Sequence, residues 1–392
     1  MPSLEPFRID VAEEVLDDLR RRLAATRWPG EADDAAWQYG ANLGYMKRLV
    51  AYWLEGYDWR RAEAELNRFD HFMAPLSDPE LGDFRIHLVR EAGDGENPIP
   101  LLVSHGWPGS FHELLGLVGP LAHPDSAGGA PAFDVPSFDV IVPSLPGYGF
   151  SSGLSRPIGP RAIARLWRRL MTEVLDYERF AAQGGDWGAM VSSWLGFDHA
   201  DVVDAIHLNM IAFRPWLGPG SEPLSAEEAA WVRRVKGRLG REGAYQRIQA
   251  TKPATLAFGL TDSPAGLAAW IVEKFHGWSG APAETEPPFT MDQLITNVMI
   301  YWVTGTINTA NWIYRAVGDE GLGPDRDARV EVPTGFALFP KDLFPPCPQS
   351  WLERAYNVVH RTDMAEGGHF AALENGPALV ADIRTFFAAL GR

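Results

Sequence analysis

The residue types in this chain that could do chemistry gather around one short string. Gly184-Gly185-Asp186-Trp187-Gly188 has the form of a strand-to-helix turn that displays a reactive side chain, because glycines on either side leave room for a tight, strained bend. Asp186 stands where hydrolases of esters place serine. Taken alone, the string could equally be a helix N-cap with flanking turn glycines. A displaying turn also needs donors for a developing oxyanion, one from the following residue, Trp187, and one from a loop after an earlier strand. The segment 101–108, LLVSHGWP, supplies such a loop and brings the Trp107 N–H, although an ordinary Gly-Pro turn reads similarly. A base belongs late in the chain, and His369 lies in Gly367-Gly368-His369-Phe370. An acid to orient it belongs after the preceding strand, where Phe339-Pro340-Lys341-Asp342 ends in Asp342. Singly, these are a structural histidine and a solvated loop charge.

Together they fall in the order Asp186, Asp342, His369, which is the nucleophile, acid, base order of α/β-hydrolases. A carboxylate nucleophile implies a particular reaction. It is already ionised near neutral pH, is poor toward amides, and can displace a leaving group in line from saturated carbon to give an ester. His369, oriented by Asp342, would then activate a water against that ester. The oxyanion would develop on Asp186 itself, beside the N–H groups of Trp107 and Trp187. Halides and epoxides are the two electrophile classes left. A halide is held by weak N–H donors, whereas an opening epoxide needs an acid such as a phenol. Between 214 and 329 the tyrosines are Tyr245, Tyr301 and Tyr314.

The elements that must position these groups follow from periodicity. Val11, Val15, Leu19 and Leu23 recur at helical spacing behind the acidic Asp10, Glu13 and Glu14. Helical or aromatic-rich pieces follow around 45–53 and 59–69, and an alternating run at 84–89 reads as the first strand. Strands at 99–103, 138–142, 179–184 and 202–208 then alternate with helices at 161–175 and 187–197, the pattern of βαβ units with a parallel sheet. After Arg214 the pattern breaks for about a hundred residues into helices and Pro/Gly turns, a sign of an inserted cap. Strands return at 335–339 and 357–360, and a helix at 378–390 closes the chain. The expected architecture is an α/β-hydrolase fold, a mostly parallel sheet flanked by helices. Its parts are an N-terminal helical extension at 1–82, a first core part at 83–213, a helical cap at 214–329 and a second core part at 330–392.

Composition narrows the partners. The chain has 392 residues, with 35 Lys plus Arg against 51 Asp plus Glu and a net charge of −16, which opposes binding to phosphate backbones. A nucleic acid partner is not expected. The single cysteine, Cys347, excludes an internal disulfide, and the N-terminus lacks a signal-peptide pattern, so a cytoplasmic protein is expected. The uncharged stretch 293–314 is long enough to cross a bilayer. It carries eight Thr, Asn and Gln residues and no flanking basic cluster, so it reads as a buried helix with a polar face and no membrane is expected. Gly147-Tyr148-Gly149-Phe150 reads as a tight turn, since Ser152 replaces the third glycine of a dinucleotide fingerprint. No His, Cys, Asp and Glu grouping has metal-ligand spacing. Fifteen tryptophans, Trp107, Trp187, Trp270, Trp278, Trp302 and Trp312 among them, suggest a pocket for apolar or aromatic epoxides.

At this point the sequence resembles the microsomal-type epoxide hydrolases over nearly its whole length. The blocks are PFRIDVAEEVLDDLRRRLAATRWP, HGWPGS, GGDWG, IQATKPATLAFGLTDSPAGLAAWIVEKF, TNVMIYWVTGTI and EGGHFAALE. The resemblance implies hydration of an epoxide to a vicinal diol without metal or organic cofactor, and a leading domain that braces the cap. It makes Asp186 the nucleophile, His369 the base and Asp342 their charge partner, where some members have Glu. It makes Tyr245 and Tyr314 the phenols that hold and protonate the epoxide oxygen, with Tyr301 a bystander. A soluble monomer or homodimer without the family's hydrophobic anchor is expected. Haloalkane dehalogenation on the same framework, or a non-catalytic ligand-binding protein, are the alternatives.

Overall fold

Strands buried on both faces of a sheet read as unbroken apolar runs, and Leu101, Leu102 and Val103, like Val140, Ile141 and Val142, are fully buried. The computed structural model describes residues 4–30, 32, 36–124, 135–321, 323–324 and 328–391. Residues 1–3, 31 and 33–35 of the expected extension, 125–134 of the expected first core part, 322 and 325–327 of the expected cap and 392 of the expected second core part lie outside the described residues. The strands are β1 (Glu5–Phe7), β2 (His71–Asp78), β3 (Gly82–Glu91), β4 (Ile99–Ser104), β5 (Phe138–Pro143), β6 (Phe180–Gly184), β7 (Val203–Leu208), β8 (Val330–Leu338) and β9 (Tyr356–Asp363). They form one sheet in the order β1-β2-β3-β5-β4-β6-β7-β8-β9. Pairing is antiparallel from β1 to β5 and parallel from β5 across to β9. This is the α/β-hydrolase fold.

Helices α1 (Glu13–Ala24), α2 (Leu43–Glu55) and α3 (Trp59–Leu66) precede the long hairpin of β2 and β3. In the core, α4 (Leu115–Ala122), α5 (Pro160–Arg169) and α6 (Asp186–Asp198) follow β4, β5 and β6, and a π-helical turn, Leu170–Val174, extends α5. The stretch after β7 holds α7 (Ala226–Glu242), α8 (Ala244–Thr251), α9 (Pro253–Asp262), α10 (Pro264–Trp278), α11 (Met291–Thr304), α12 (Ile307–Ala310) and α13 (Trp312–Glu320). Then α14 (Gln349–Glu353) lies between β8 and β9, and α15 (Ala371–Ala389), kinked at Asn375, ends the chain.

Two expectations are corrected. The run at 84–89 is not the first strand, because β1 and β2 come before it and join the same sheet, so the leading segment is not purely helical. Neither could be read from pattern: β1 has three residues, and β2 carries Pro75 and no regular alternation. Pro75 is tolerated because β1 pairs with β2 only at residues 71–73, leaving the β2 edge beyond them without an outer strand. The uncharged stretch 293–314 is also not one helix. A capping box of Thr290 and Gln293 starts α11, and Gly305, at φ 65°, ends it before the short α12 and then α13. No helix among the described residues is long and apolar enough to cross a membrane.

The leading segment is braced within itself and tied to the helices after β7. Asn67 clasps the backbone of Ile9 in both directions, accepting its N–H at 2.9 Å and donating to its carbonyl at 2.8 Å. Toward the helices after β7, the Tyr52 hydroxyl donates to Asp292 at 2.8 Å, Tyr57 pairs with Thr296 at 3.0 Å, and Trp37 stacks on His276 with ring centroids 4.2 Å apart. Because both Asn67 bonds are part-buried, Asn67→Ala leaves a peptide unit unpaired and should cost about 1–3 kcal/mol. A urea midpoint equal to that of the unaltered protein would show that this clasp contributes nothing.

Candidate active site

Asp186 has φ 48°, a left-handed conformation costly for a residue with a Cβ, and its surroundings hold it there. The bend comes where β6 ends and α6 begins, with Gly185 as the cap. The flanking glycines are required by contact. A methyl group at Gly188 would stand 1.9 Å from the Ser104 carbonyl oxygen at the end of β4, and one at Gly106 would stand 2.2 Å from Asp186 Oδ1. The turn and the loop after β4 are therefore pressed together with no room for side chains between them.

That loop provides the first grip on the carboxylate. The Trp107 N–H donates to Asp186 Oδ1 at 2.8 Å. Trp187, next in the chain, opens α6, and no hydrogen bond among the described contacts joins its N–H to the carboxylate. His105 shapes the loop: burial lowers its pKa to about 4, so the ring is neutral, donating to the Gly106 carbonyl and accepting the Leu145 N–H at 3.1 Å.

The loop is also held from above by α11, a contact the sequence did not reveal. Asn297 donates to the Pro108 carbonyl at 2.8 Å and accepts from the Ser110 hydroxyl at 2.8 Å, while Tyr301 donates to the Gly109 carbonyl at 2.6 Å. The polar face of this helix thus satisfies two carbonyls of the HGWPGS loop. Tyr301 is committed to a backbone group and does not line the cavity that holds Tyr245 and Tyr314.

On the other side of Asp186 stands His369. Its Nε2 is 3.4 Å from Asp186 Oδ2 and its Nδ1 is 3.2 Å from Asp342 Oδ1. Asp342 follows β8 and is fixed by the Phe344 N–H, which donates to its Oδ1 at 2.9 Å. The His369 N–H donates to the carbonyl of Trp278 at the end of α10, at 3.1 Å, and the Trp278 ring meets the imidazole edge to face at 4.9 Å. Burial alone would lower the pKa of His369, but the charges of Asp342 and Asp186 outweigh it and raise it to about 10. The imidazole is therefore protonated between two carboxylates.

Tyr245, on α8, and Tyr314, on α13, face Asp186 across a cavity of about 60 Å³. Tyr245 stacks on Trp107 at 5.0 Å, and Tyr314 meets Trp187 edge to face at 4.7 Å. Burial pushes both phenols up, and the Asp186 charge adds to this, so each stays protonated and able to donate. The Tyr314 hydroxyl is buried, and the two phenols act on one another, Tyr314 toward Tyr245 as donor. Met190, Met210, Ile211, Leu239, Leu343 and Phe344 make the rest of the cavity largely apolar. The structure thus brings the other six residues expected from the sequence together around the Asp186 carboxylate. Among the described residues no group of His, Cys, Asp and Glu is arranged to hold a metal ion.

Comparison with known proteins points the same way. The family model described as the epoxide hydrolase N terminus matches residues 4–114, and that of the α/β hydrolase fold matches 99–242. A Stigmatella aurantiaca protein is 38% identical over 382 residues, covering 97% of this chain and 83% of that protein. Epoxide hydrolase 1 of Sus scrofa is 34% identical over 415 residues, covering 99% of this chain and 89% of that one. The structure of Aspergillus niger epoxide hydrolase superposes with a TM-score of 0.81 at 32% identity, covering 99% of this chain and 96% of that one. Silkworm (Bombyx mori) juvenile hormone epoxide hydrolase gives 0.84 at 29% identity, with coverages of 99% and 94%.

The elbow makes a sharp prediction. Gly188→Ala forces a methyl group into the Ser104 carbonyl and should cost at least about 3 kcal/mol, whereas Gly237→Ala in α7, where nothing lies within 4 Å, should be neutral or slightly stabilising. Equal thermal midpoints for the two variants would contradict the contact.

Proposed function

This chain belongs to the epoxide hydrolase family and is an epoxide hydrolase; from that premise we propose that it opens apolar or aromatic epoxides through an ester on Asp186. Asp186 Oδ2 attacks an epoxide carbon in line, and the C–O bond of the ring breaks toward Tyr245 and Tyr314. The phenols donate hydrogen bonds to the oxygen as charge develops, and one gives up its proton. Oδ1, already on the Trp107 N–H, becomes the ester carbonyl. The observation that carries this reading is the pair of buried, protonated phenols across one cavity from a carboxylate.

His369 then acts as base in the second step. While Asp186 is ionised the imidazole is held protonated, which suits pairing and not proton abstraction. Alkylation removes the Asp186 charge and with it part of the cause of the raised pKa, so once the ester exists His369 can lose its proton, which through solvent restores the phenol deprotonated in ring opening. It takes a proton from water as the oxygen adds to the ester carbonyl carbon. The oxyanion forms on Oδ1 at the Trp107 N–H, with the Trp187 N–H beside it, and collapse releases the diol and restores Asp186. Asp342 keeps the ring oriented and stabilises the imidazolium.

With His369→Gln and an aryl epoxide, peptide mass analysis should find a lasting adduct on Asp186, and diol formation by Asp186→Ala would refute the assigned nucleophile. Removing both phenols as Tyr245→Phe with Tyr314→Phe should lower the rate of ester formation at least about a hundredfold. Indifference to that pair, together with halide release from haloalkanes, would favour dehalogenation instead.

The imidazole also gives a pH signature. A folded-state pKa of about 10, above about 6.5 in the unfolded chain, contributes stability that is fully present below pH 6.5 and is lost as pH rises toward 10. The stability difference between the unaltered protein and His369→Gln should therefore shrink over that range. A difference constant from pH 6.5 to 10 would exclude the raised pKa.

A further inference from the structure

Asp186 lines two cavities. The larger contains the tyrosines, and the smaller, about 20 Å³, contains His369, Ser104, Asn209 and Glu113. One water needs about 10–15 Å³ and two or more polar partners, so the smaller cavity fits one water beside the imidazole. Of its polar lining, Ser104 Oγ and Asn209 Oδ1 already accept hydrogen bonds, from Trp167 at 3.1 Å and Gln183 at 2.8 Å. Glu113 is different. It lies in the short helical turn Phe111–Leu114 after the HGWPGS loop, and a methyl group at Gly109 would stand 2.0 Å from its Oε2, so its carboxyl is turned back under that loop. The residue is of intermediate accessibility and lines this cavity, its carboxyl also within reach of the Gly106 N–H. The reaction proposed above gives Glu113 no role.

We propose that Glu113 positions the hydrolytic water: its carboxyl accepts one O–H of the water while His369 Nε2 takes the other, which aims the oxygen lone pair at the Asp186 carbonyl carbon. This rests on the Asp186 ester and the His369 base. The balance is complete. One water O–H bond breaks, its proton goes to His369, and the new O–C bond forms on the ester carbon. The ester C–O bond then breaks, the departing alkoxide takes that proton from His369, and the second water proton, left on the new Asp186 carboxyl, passes to His369 to restore the carboxylate and imidazolium. Glu113 neither gains nor loses a proton. That suits a carboxyl that burial pushes up to about 8, with His369 and the Gly106 N–H opposing and the Asp186 charge adding to the rise. A neutral carboxyl does not compete with Asp342 for the imidazolium. The division of space around Asp186 thus becomes a division of labour, with epoxide on one side and water on the other.

The test separates the two half-reactions by rapid acid quench in a single turnover, counting ester on the Asp186 peptide. Glu113→Leu and Glu113→Ala both remove the acceptor, one filling the cavity and the other enlarging it. In each, ester hydrolysis should slow at least about tenfold, the kinetic worth of one hydrogen bond, while ester formation stays within about twofold. Glu113→Gln keeps an acceptor oxygen and should restore most of the rate. Hydrolysis at the unaltered rate in the Leu or Ala variant, a Gln variant as slow as these, or an equal loss in both half-reactions would overturn the assignment. If no ester forms on Asp186 in the unaltered protein, the failure lies in the reaction scheme and not in Glu113.

Discussion

One hydrogen bond joins the two halves of the site, from the Trp107 N–H to Asp186 Oδ1, between residues 79 positions apart in the chain. It exists because β4 and β6 are neighbours in the sheet and their ends release two loops at the same level. The loop after β4 supplies the donor and the bend after β6 supplies the acceptor, at a backbone angle that a side chain adopts only when held. Glycines at the contact let the two loops close on one another. Loosening that approach would relax the strained aspartate and move the carboxylate off its donor.

The helices beyond β7 work on this junction from the other direction. The polar face of α11 grips the carbonyls of residues 108 and 109, and the last carbonyl of α10 holds the His369 N–H. Residues of the leading segment in turn reach α11 through Tyr52 and Tyr57. A chain of contacts thus runs from the N-terminal helices, through α11, to the loop whose Trp107 N–H holds Asp186. Buried polar groups in such a chain are costly to leave unmatched, which explains why a helix as apolar as α11 retains asparagine and tyrosine at its loop-facing positions.

Electrostatics follow from the same enclosure. His369 is buried, which by itself favours the neutral ring, yet two carboxylates within 3.2 and 3.4 Å reverse the balance. A group balanced between opposing effects responds strongly when one of them is removed. In the proposed reaction, neutralising Asp186 by ester formation would be such a removal, so the site would hold its histidine protonated in one half of a cycle and release the proton in the other.

Much of this was legible in the sequence because it is local. The GGDWG and HGWP strings, the late histidine and the strand-ending Asp342 each declare a turn type or loop position through their own residues, and unbroken apolar runs marked the parallel strands. Three-residue β1 and proline-bearing β2 were missed, since their strand character comes from pairing with distant partners and not from periodicity. Tyr301 could be set apart from Tyr245 and Tyr314 only by resemblance to relatives; tertiary packing turned it toward a backbone carbonyl. The sequence alone determined which reactive groups exist and in what chain order, because residue type and short-range spacing are properties of neighbours. Only the tertiary structure decided their distances, the protonation of His369 and the two cavities flanking Asp186, because these depend on segments far apart in the chain packing to within a few ångströms of one another.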